Sequence, residues 1–305
     1  MVEQKKEDVV IGWIGTGVMG KSQAGHLIKA GYKLAVFNRT ASKADELVQA
    51  GAEYLEPAEI AKKADYLFLM LGYPIDVEKM VLDPEVGILK HMKAGAFLID
   101  HTTSSPDLAE RIAVEGNKVG VKSIDAPVSG GDIGAKAGKL VTMVGGETEA
   151  VETCRHLMDL YSQQVQLMGG PGAGQHTKCA NQIMIATTMV GTCEALIYGH
   201  KAGLDLSQMI PLLSKGAAGS FTLEKLGPRM LRRDFEPGFY VEHFVKDLGI
   251  ALAESKRMGL ATPGLALAAQ FYHALVAQGG ERMGTQGLLT TLEKFNAVEV
   301  KKYDI

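Results

Sequence analysis

Cysteine is scarce and scattered: Cys154, Cys179 and Cys193 are the three thiols in 305 residues, with no CxxC pair among them. That excludes a disulfide-stapled scaffold, gives no support for a metal site, and fits ordinary thiols in a reducing compartment. A surplus of one charge is also missing. With 32 Lys and Arg against 35 Asp and Glu, a formal net charge of -3 and no cationic block, neither nucleic acid nor an anionic membrane is an expected partner. No apolar run reaches the roughly 20 residues that a membrane span requires. The start, Met1 to Asp8, is polar and lacks the apolar core of a secretory signal. The expectation is a soluble intracellular protein, cytoplasmic, or organellar if a transit peptide was removed, acting on a small molecule.

A hydrophobic fraction of 46% over this length is enough for two domains, each with its own core. Short Val/Ile/Leu-rich runs alternate with helical stretches up to Leu167: Val9 to Ile14, Leu34 to Phe37, Tyr66 to Leu71, Ala96 to Ile99, Lys122 to Asp125, Leu140 to Val144 and Val165 to Leu167 read as strands. Such alternation predicts an α/β fold with a doubly wound, largely parallel sheet of Rossmann type. The punctuation Gly169-Gly170-Pro171-Gly172 then ends the pattern, and the remainder reads as helix. This places an N-terminal Rossmann domain at 1–170 and an all-helical C-terminal domain at 171–305. Gln175 to Ala202 is expected to form one long helix, with Met184 and Met189 in its core, and Pro211 and Gly227-Pro228 divide the chain beyond it.

Directly after the first strand comes Gly15-Thr16-Gly17-Val18-Met19-Gly20, a GxGxxG at the head of a helix. The first glycine permits the turn, the second lets a pyrophosphate approach bare backbone, and the third allows helix and sheet to pack closely. These six residues are the candidate coenzyme cradle. About 20 residues further on, NAD-selective folds place an acidic residue against the ribose. Here Asn38-Arg39-Thr40 stands instead, a neutral amide followed by a guanidinium and a hydroxyl, which suits a 2′-phosphate. NADP(H) is the expected coenzyme, with NAD(H) admitted, and the alternative is that these residues only turn the chain and cap the next helix.

Two segments carry candidate chemistry. Asp125-Ala126-Pro127-Val128-Ser129-Gly130-Gly131 ends a strand in a hydroxyl and free backbone N–H groups, suited to a carboxylate, although a Ser-Gly-Gly turn can be purely structural. Lys178, with Asn181 and Gln182 at i+3 and i+4, presents an ammonium and two amides on one helix face. A proton donor is what hydride reduction of a carbonyl needs, whereas a solvated surface lysine is the ordinary alternative. The hydroxyls of Thr102 to Ser105 either touch a nicotinamide ribose or cap a helix, and His176 and His243 read as structural.

Together the glycine loop, Asp-Ala-Pro-Val-Ser-Gly-Gly and Gly-x-Gly-x-x-x-Lys-x-x-Asn resemble the β-hydroxyacid dehydrogenase family, as do Pro237-Gly238-Phe239 and His243-Phe244-Val245-Lys246-Asp247-Leu248. That family includes 3-hydroxyisobutyrate dehydrogenases, tartronate semialdehyde reductases and glyoxylate/succinic semialdehyde reductases. The resemblance implies an active site in a cleft between a Rossmann and a helical domain, and a homodimer or homotetramer. It implies Lys178 as general acid/base assisted by Asn181 and Gln182, and Ser129, Gly130 and Gly131 on the substrate carboxylate, with Phe239 as a wall. Leu71, Thr103 and Lys246 are implied at the coenzyme, with Asp247 supporting Lys246. Many members have Asn where Gln182 stands, and Leu-Pro where Leu71-Gly72 stands. The expected activity is hydride transfer between NADP(H) and a small β-hydroxyacid or aldehyde acid; a non-catalytic NADP-binding module is the alternative. The residues near Arg39 are similar to NADPH-using glyoxylate reductases, while those near Ser129 and Lys178 are similar to plant 3-hydroxyisobutyrate dehydrogenase-like proteins.

Overall fold

The computed structural model describes residues 6–304; Met1 to Lys5, within the polar start noted above, and Ile305 lie outside the described residues. Contacts between Cα atoms divide the chain into two compact units, Met1–Lys178 and Cys179–Ile305.

Among the described residues the first unit holds nine strands: β1 Val10–Ile14, β2 Lys33–Phe37, β3 Glu53–Tyr54, β4 Tyr66–Leu69, β5 Phe97–Asp100, β6 Lys122–Asp125, β7 Val128–Ser129, β8 Leu140–Gly145 and β9 Ser162–Gly169. Its helices are α1 Val18–Lys29, α2 Asp45–Gln49, α3 Pro57–Lys63, α4 Pro74–Leu82, α5 Pro106–Lys118, α6 Gly131–Ala137 and α7 Thr148–Met158, and α8, Ala173–Lys201, begins in it. The sheet runs β3-β2-β1-β4-β5-β6-β8-β7, with β9 beside β8. Side chains alternate between its two covered faces. Ile11, Trp13 and Phe68 enter one core, while Ile14, Leu67 and Leu69 enter the other. A parallel sheet buried on both sides requires such runs, apolar at every position.

From β3 through to β6 every pairing is parallel, and the strand order reverses between β1 and β4, where ligands of such sheets bind. The sheet is largely parallel, as expected, and β9 runs parallel to β8; the exception lies at β8 itself. β8 pairs antiparallel with both β6 and β7. Only the seven-residue α6, roughly 10 Å long, lies between β7 and β8. That is too short to carry the chain back along the sheet for a parallel crossover. β3 and β7, two residues each, have no periodicity to read and were not expected from the sequence.

The second unit takes the rest of α8, then α9 Leu206–Ser214, α10 Gly227–Leu231, α11 Val241–Arg257, α12 Pro263–Ala277 and α13 Leu288–Phe295. Its core gathers Met189, Cys193, Leu196, Phe244, Leu248, Tyr272 and Leu288. Tyr272 meets the Phe244 ring edge-on at 4.9 Å and donates its hydroxyl to the Thr285 carbonyl at 2.9 Å. Two sequence expectations need correction. Met184 is exposed while Met189 is buried. Five residues turn a helix by about 500°, so the two cannot share a face. Pro211 lies inside α9 instead of ending it, and the buried Leu206 and Ile210 hold that helix despite the missing N–H.

Candidate active site

At the carboxyl end of β1, Gly15 takes φ of 100° and donates its N–H to the Phe37 carbonyl at 2.8 Å. A Cβ on Gly15 would overlap the Met70 carbonyl, and one on Gly20 would overlap the Gly15 carbonyl, so neither position has room for a side chain. Gly17 differs: among the described residues nothing lies within 4 Å of the Cβ it lacks. It is the N-cap of α1, supplies no side-chain cap, and is followed by no acidic residue in the first turn. Bare backbone at the positive end of a twelve-residue helix therefore faces open space. Beside it the Thr16 hydroxyl is buried without a partner among the described residues. These observations fit a dinucleotide pyrophosphate. Val18 is exposed, and Met19 packs against the core that holds Trp13.

Asn38 is committed to the loop. Its Oδ1 accepts the Thr16 N–H at 3.0 Å and its Nδ2 donates to the Thr40 carbonyl at 3.0 Å. Thr40 precedes the 3-10 turn Ala41–Ala44 without making a capping bond through its side chain. Arg39 is exposed. At the ends of β4 and β5, Leu71 donates its N–H to Thr102 Oγ1 at 2.8 Å, and Ser105 caps α5 by accepting from Leu108. Of the hydroxyls in this run, these two serve the fold, and Thr103 is half-buried between them.

Behind the loop lies a polar aromatic cluster that sequence reasoning passed over. His101 is completely buried, with Nδ1 at 2.6 Å from the Ala126 carbonyl and Nε2 at 2.8 Å from the Tyr161 hydroxyl. A carbonyl only accepts, so Nδ1 carries the proton and Tyr161 donates to Nε2. Burial lowers the His101 pKa from 6.5 to about 4 and raises that of Tyr161. Both rings pack on Trp13.

The 125–131 segment connects to the start of α8. Asp125 accepts from the Gly172 and Gln175 N–H groups at 2.8 and 2.9 Å. Three residues on, the Val128 carbonyl accepts from Lys178 Nζ at 2.9 Å. Lys178 is buried, unlike an ordinary surface lysine. Ser129 is half-buried on β7, and Gly130 and Gly131 follow at φ of 127° and 62°, which side-chain-bearing residues rarely adopt. Lys178, Val128 and the Ser129–Gly131 turn are thus brought together within the first unit.

In the second unit, Asn181 Nδ2 donates to Gln182 Oε1 at 2.7 Å, and Gln182 Nε2 donates to Asp247 Oδ2 at 2.7 Å. Lys246 Nζ stands 3.0 Å from Asp247 Oδ1. Gln182 and Asp247 are both buried, and the Gln182 amide is engaged by protein at both atoms. Phe239 packs edge-on against Phe244 with ring centroids 5.9 Å apart. His243, beside Lys246, has its pKa lowered by burial and by that ammonium.

Two known domain families match the chain in succession. The NAD binding domain of 6-phosphogluconate dehydrogenase matches residues 10–170, and the NAD-binding domain of NADP-dependent 3-hydroxyisobutyrate dehydrogenase matches residues 172–292. The chain is 53% identical to probable 3-hydroxyisobutyrate dehydrogenase-like 1, mitochondrial, of Arabidopsis thaliana, over 96% of this chain and 88% of that relative. The chain belongs to the β-hydroxyacid dehydrogenase family. This β-hydroxyacid dehydrogenase is also 37% identical to 2-hydroxy-3-oxopropionate reductase of Escherichia coli, over 93% of this chain and 97% of the relative. A solved structure of the Mycobacterium tuberculosis 3-hydroxyisobutyrate dehydrogenase with L-serine is similar with a TM-score of 0.85 and 25% identity, covering 93% of this chain and 99% of that one. As a member of the family the protein is an NAD(P)-dependent oxidoreductase with NAD(P)-binding domains, so the non-catalytic module is set aside. Among the described residues no helix is long and apolar enough to cross a membrane, and no cluster of three metal-ligating side chains is present.

Proposed function

We propose that this β-hydroxyacid dehydrogenase interconverts a small aldehyde acid and its hydroxy acid with NADP(H), and that Lys178 carries the proton. The observation behind this reading is the buried Lys178 ammonium, held 2.9 Å from the Val128 carbonyl on the segment that runs into Ser129, Gly130 and Gly131. A carboxylate received by the Ser129 hydroxyl and the two glycine N–H groups leaves the rest of a three- or four-carbon substrate within reach of that ammonium. In reduction, Lys178 Nζ gives its proton to the carbonyl oxygen; in oxidation it takes the hydroxyl proton back. The nicotinamide, when bound, supplies or receives the hydride. Gly17 and the first turn of α1 would hold the pyrophosphate, and Arg39 the 2′-phosphate. Asn38 supports the NADP(H) preference because the side chain that accepts the Thr16 N–H is a neutral amide, so no carboxylate stands where it would repel a phosphate.

The deciding assay is NADPH oxidation with glyoxylate, succinic, tartronate and methylmalonate semialdehydes, and NADP reduction with 3-hydroxyisobutyrate, for the parent and K178M. One of these substrates is expected to turn over, with K178M slower by about two to four powers of ten. A folded K178M with near-parental turnover removes Lys178 from the mechanism.

A further inference from the structure

The start of α8 is seated by partners 47 to 73 residues away in sequence. Asp125, at the end of β6, spends both carboxylate oxygens on it: Oδ1 accepts from Gly172 N–H at 2.8 Å, and Oδ2 from Gln175 N–H at 2.9 Å. Gln175 then reaches to the end of β5, where Nε2 donates to the Thr102 carbonyl at 2.8 Å and Oε1 accepts Ser104 N–H at 3.0 Å. Asp125 is 4% exposed and Gln175 1%. A Cβ on either Gly145 or Gly174 would overlap Asp125, so the backbones have closed around this carboxylate. Three residues beyond each anchor the same two segments meet again, through Lys178 Nζ and the Val128 carbonyl. The result is a closed ring: Asp125 to Gln175, along the helix to Lys178, across to Val128, and back along the strand end.

Resting on the role given to Lys178 above, we propose that Asp125 and Gln175 are positioning residues for the reaction, setting where the ammonium stands relative to Ser129, Gly130 and Gly131. A helix start leaves N–H groups without partners, and two of them here point at one side chain. Only a carboxylate offers an acceptor to each; asparagine would turn an NH2 group on one of the two, and serine has a single oxygen. Burial pushes the Asp125 carboxyl above its usual range even though the N–H groups of Gly172, Gly174 and Gln175 pull it down. A buried charge that costs stability yet fixes registry is a device for position.

The test compares parent, D125N, Q175M, K178M and a core change on α7, C154A, by steady-state kinetics and by reductive methylation of Lys178 read by mass spectrometry. D125N is expected to lose tenfold or more in kcat with the coenzyme KM within threefold of parent, and its Lys178 to methylate several-fold faster. C154A should leave both readouts unchanged, since loss of core packing alone does not move Lys178. Q175M, which keeps Asp125 and removes the side-chain half of the anchor, should follow D125N in smaller measure and serves if D125N does not fold. A folded D125N with kcat within twofold of parent overturns the proposal. So does a loss of turnover with Lys178 labelling unchanged, which would place the effect elsewhere. K178M separates the two ideas: if it keeps turnover the proton-carrier reading fails, whereas Lys178 labelling in D125N still reports on the anchor.

Discussion

Gln182 Nε2 donates to Asp247 Oδ2 at 2.7 Å, joining α8 to α11 through 65 positions of sequence. A carboxylate only accepts, so this bond fixes which way the Gln182 amide lies. Its Oε1 must then face Asn181, and Asn181 must answer with Nδ2, as observed at 2.7 Å. Polarity set at Asp247 therefore passes through Gln182 to Asn181, while Lys246 holds the other carboxylate oxygen. Gln182 acts through its neighbours, with both ends of its amide engaged by protein.

That chain predicts the behaviour of two substitutions. Q182L leaves a buried carboxylate oxygen without its donor and should lower unfolding stability by about 1–3 kcal/mol in urea titration. Q182E sets carboxylate against carboxylate, so its melting temperature should trail the parent most at neutral pH and recover as acid protonates the pair. A Q182E deficit that does not change with pH speaks against the hydrogen bond described.

The glycine loop separates fold from coenzyme in one pair of variants. G15A forces a side chain into positive φ and against the Met70 carbonyl, and should melt well below the parent without any ligand. At Gly17, where φ is -67° and the space is open, alanine should leave the ligand-free melting temperature unchanged or slightly raised. G17A should nevertheless bind NADPH at least tenfold more weakly by fluorescence titration. Parental NADPH affinity in G17A would contradict the cradle.

Arg39 is expected to discriminate between coenzymes. Losing a charge-assisted contact of about 1.5–3 kcal/mol corresponds to a drop of ten- to a hundredfold. R39A should therefore lose that much kcat/KM with NADPH and change less than twofold with NADH. Equal losses with both coenzymes would assign Arg39 to some other role.

His101 predicts how stability depends on pH. Its pKa is about 4 in the fold and 6.5 for an imidazole free in water, so the unfolded chain binds the extra proton in between. Its contribution is complete above 6.5, declines as pH falls towards about 4, and amounts to roughly 3 kcal/mol over that window. Denaturant midpoints from pH 7 to pH 4 should decline less steeply in H101Q than in the parent. Parallel curves would mean that His101 takes up its proton without unfolding.

Much of the first unit is legible along the chain, because β1, β2, β4 and β5 are mostly apolar where both faces of the sheet are covered, and because Gly15, Gly17 and Gly20 do three different local jobs. The antiparallel β8 is not legible. Leu140 to Gly145 is mostly apolar, like the parallel strands β1 and β4, and only the length of chain before it decides its direction. Asp125 and Gln175 are equally silent: an aspartate before Ala-Pro marks a strand end, and nothing local says that its carboxylate will cap a helix beginning 48 residues later.

Residue spacing alone determined the dinucleotide loop, the longer strands of the first unit, and the place of Lys178 on a helix, since all three depend on contacts within one turn or one strand. Tertiary structure alone decided that Lys178 is buried against Val128, that Asn38 closes the loop through Thr16, and that Gln182 takes its orientation from Asp247. Those contacts join segments 22 to 65 residues apart, and hydrogen-bond partners at that range are selected by packing, which no local pattern encodes.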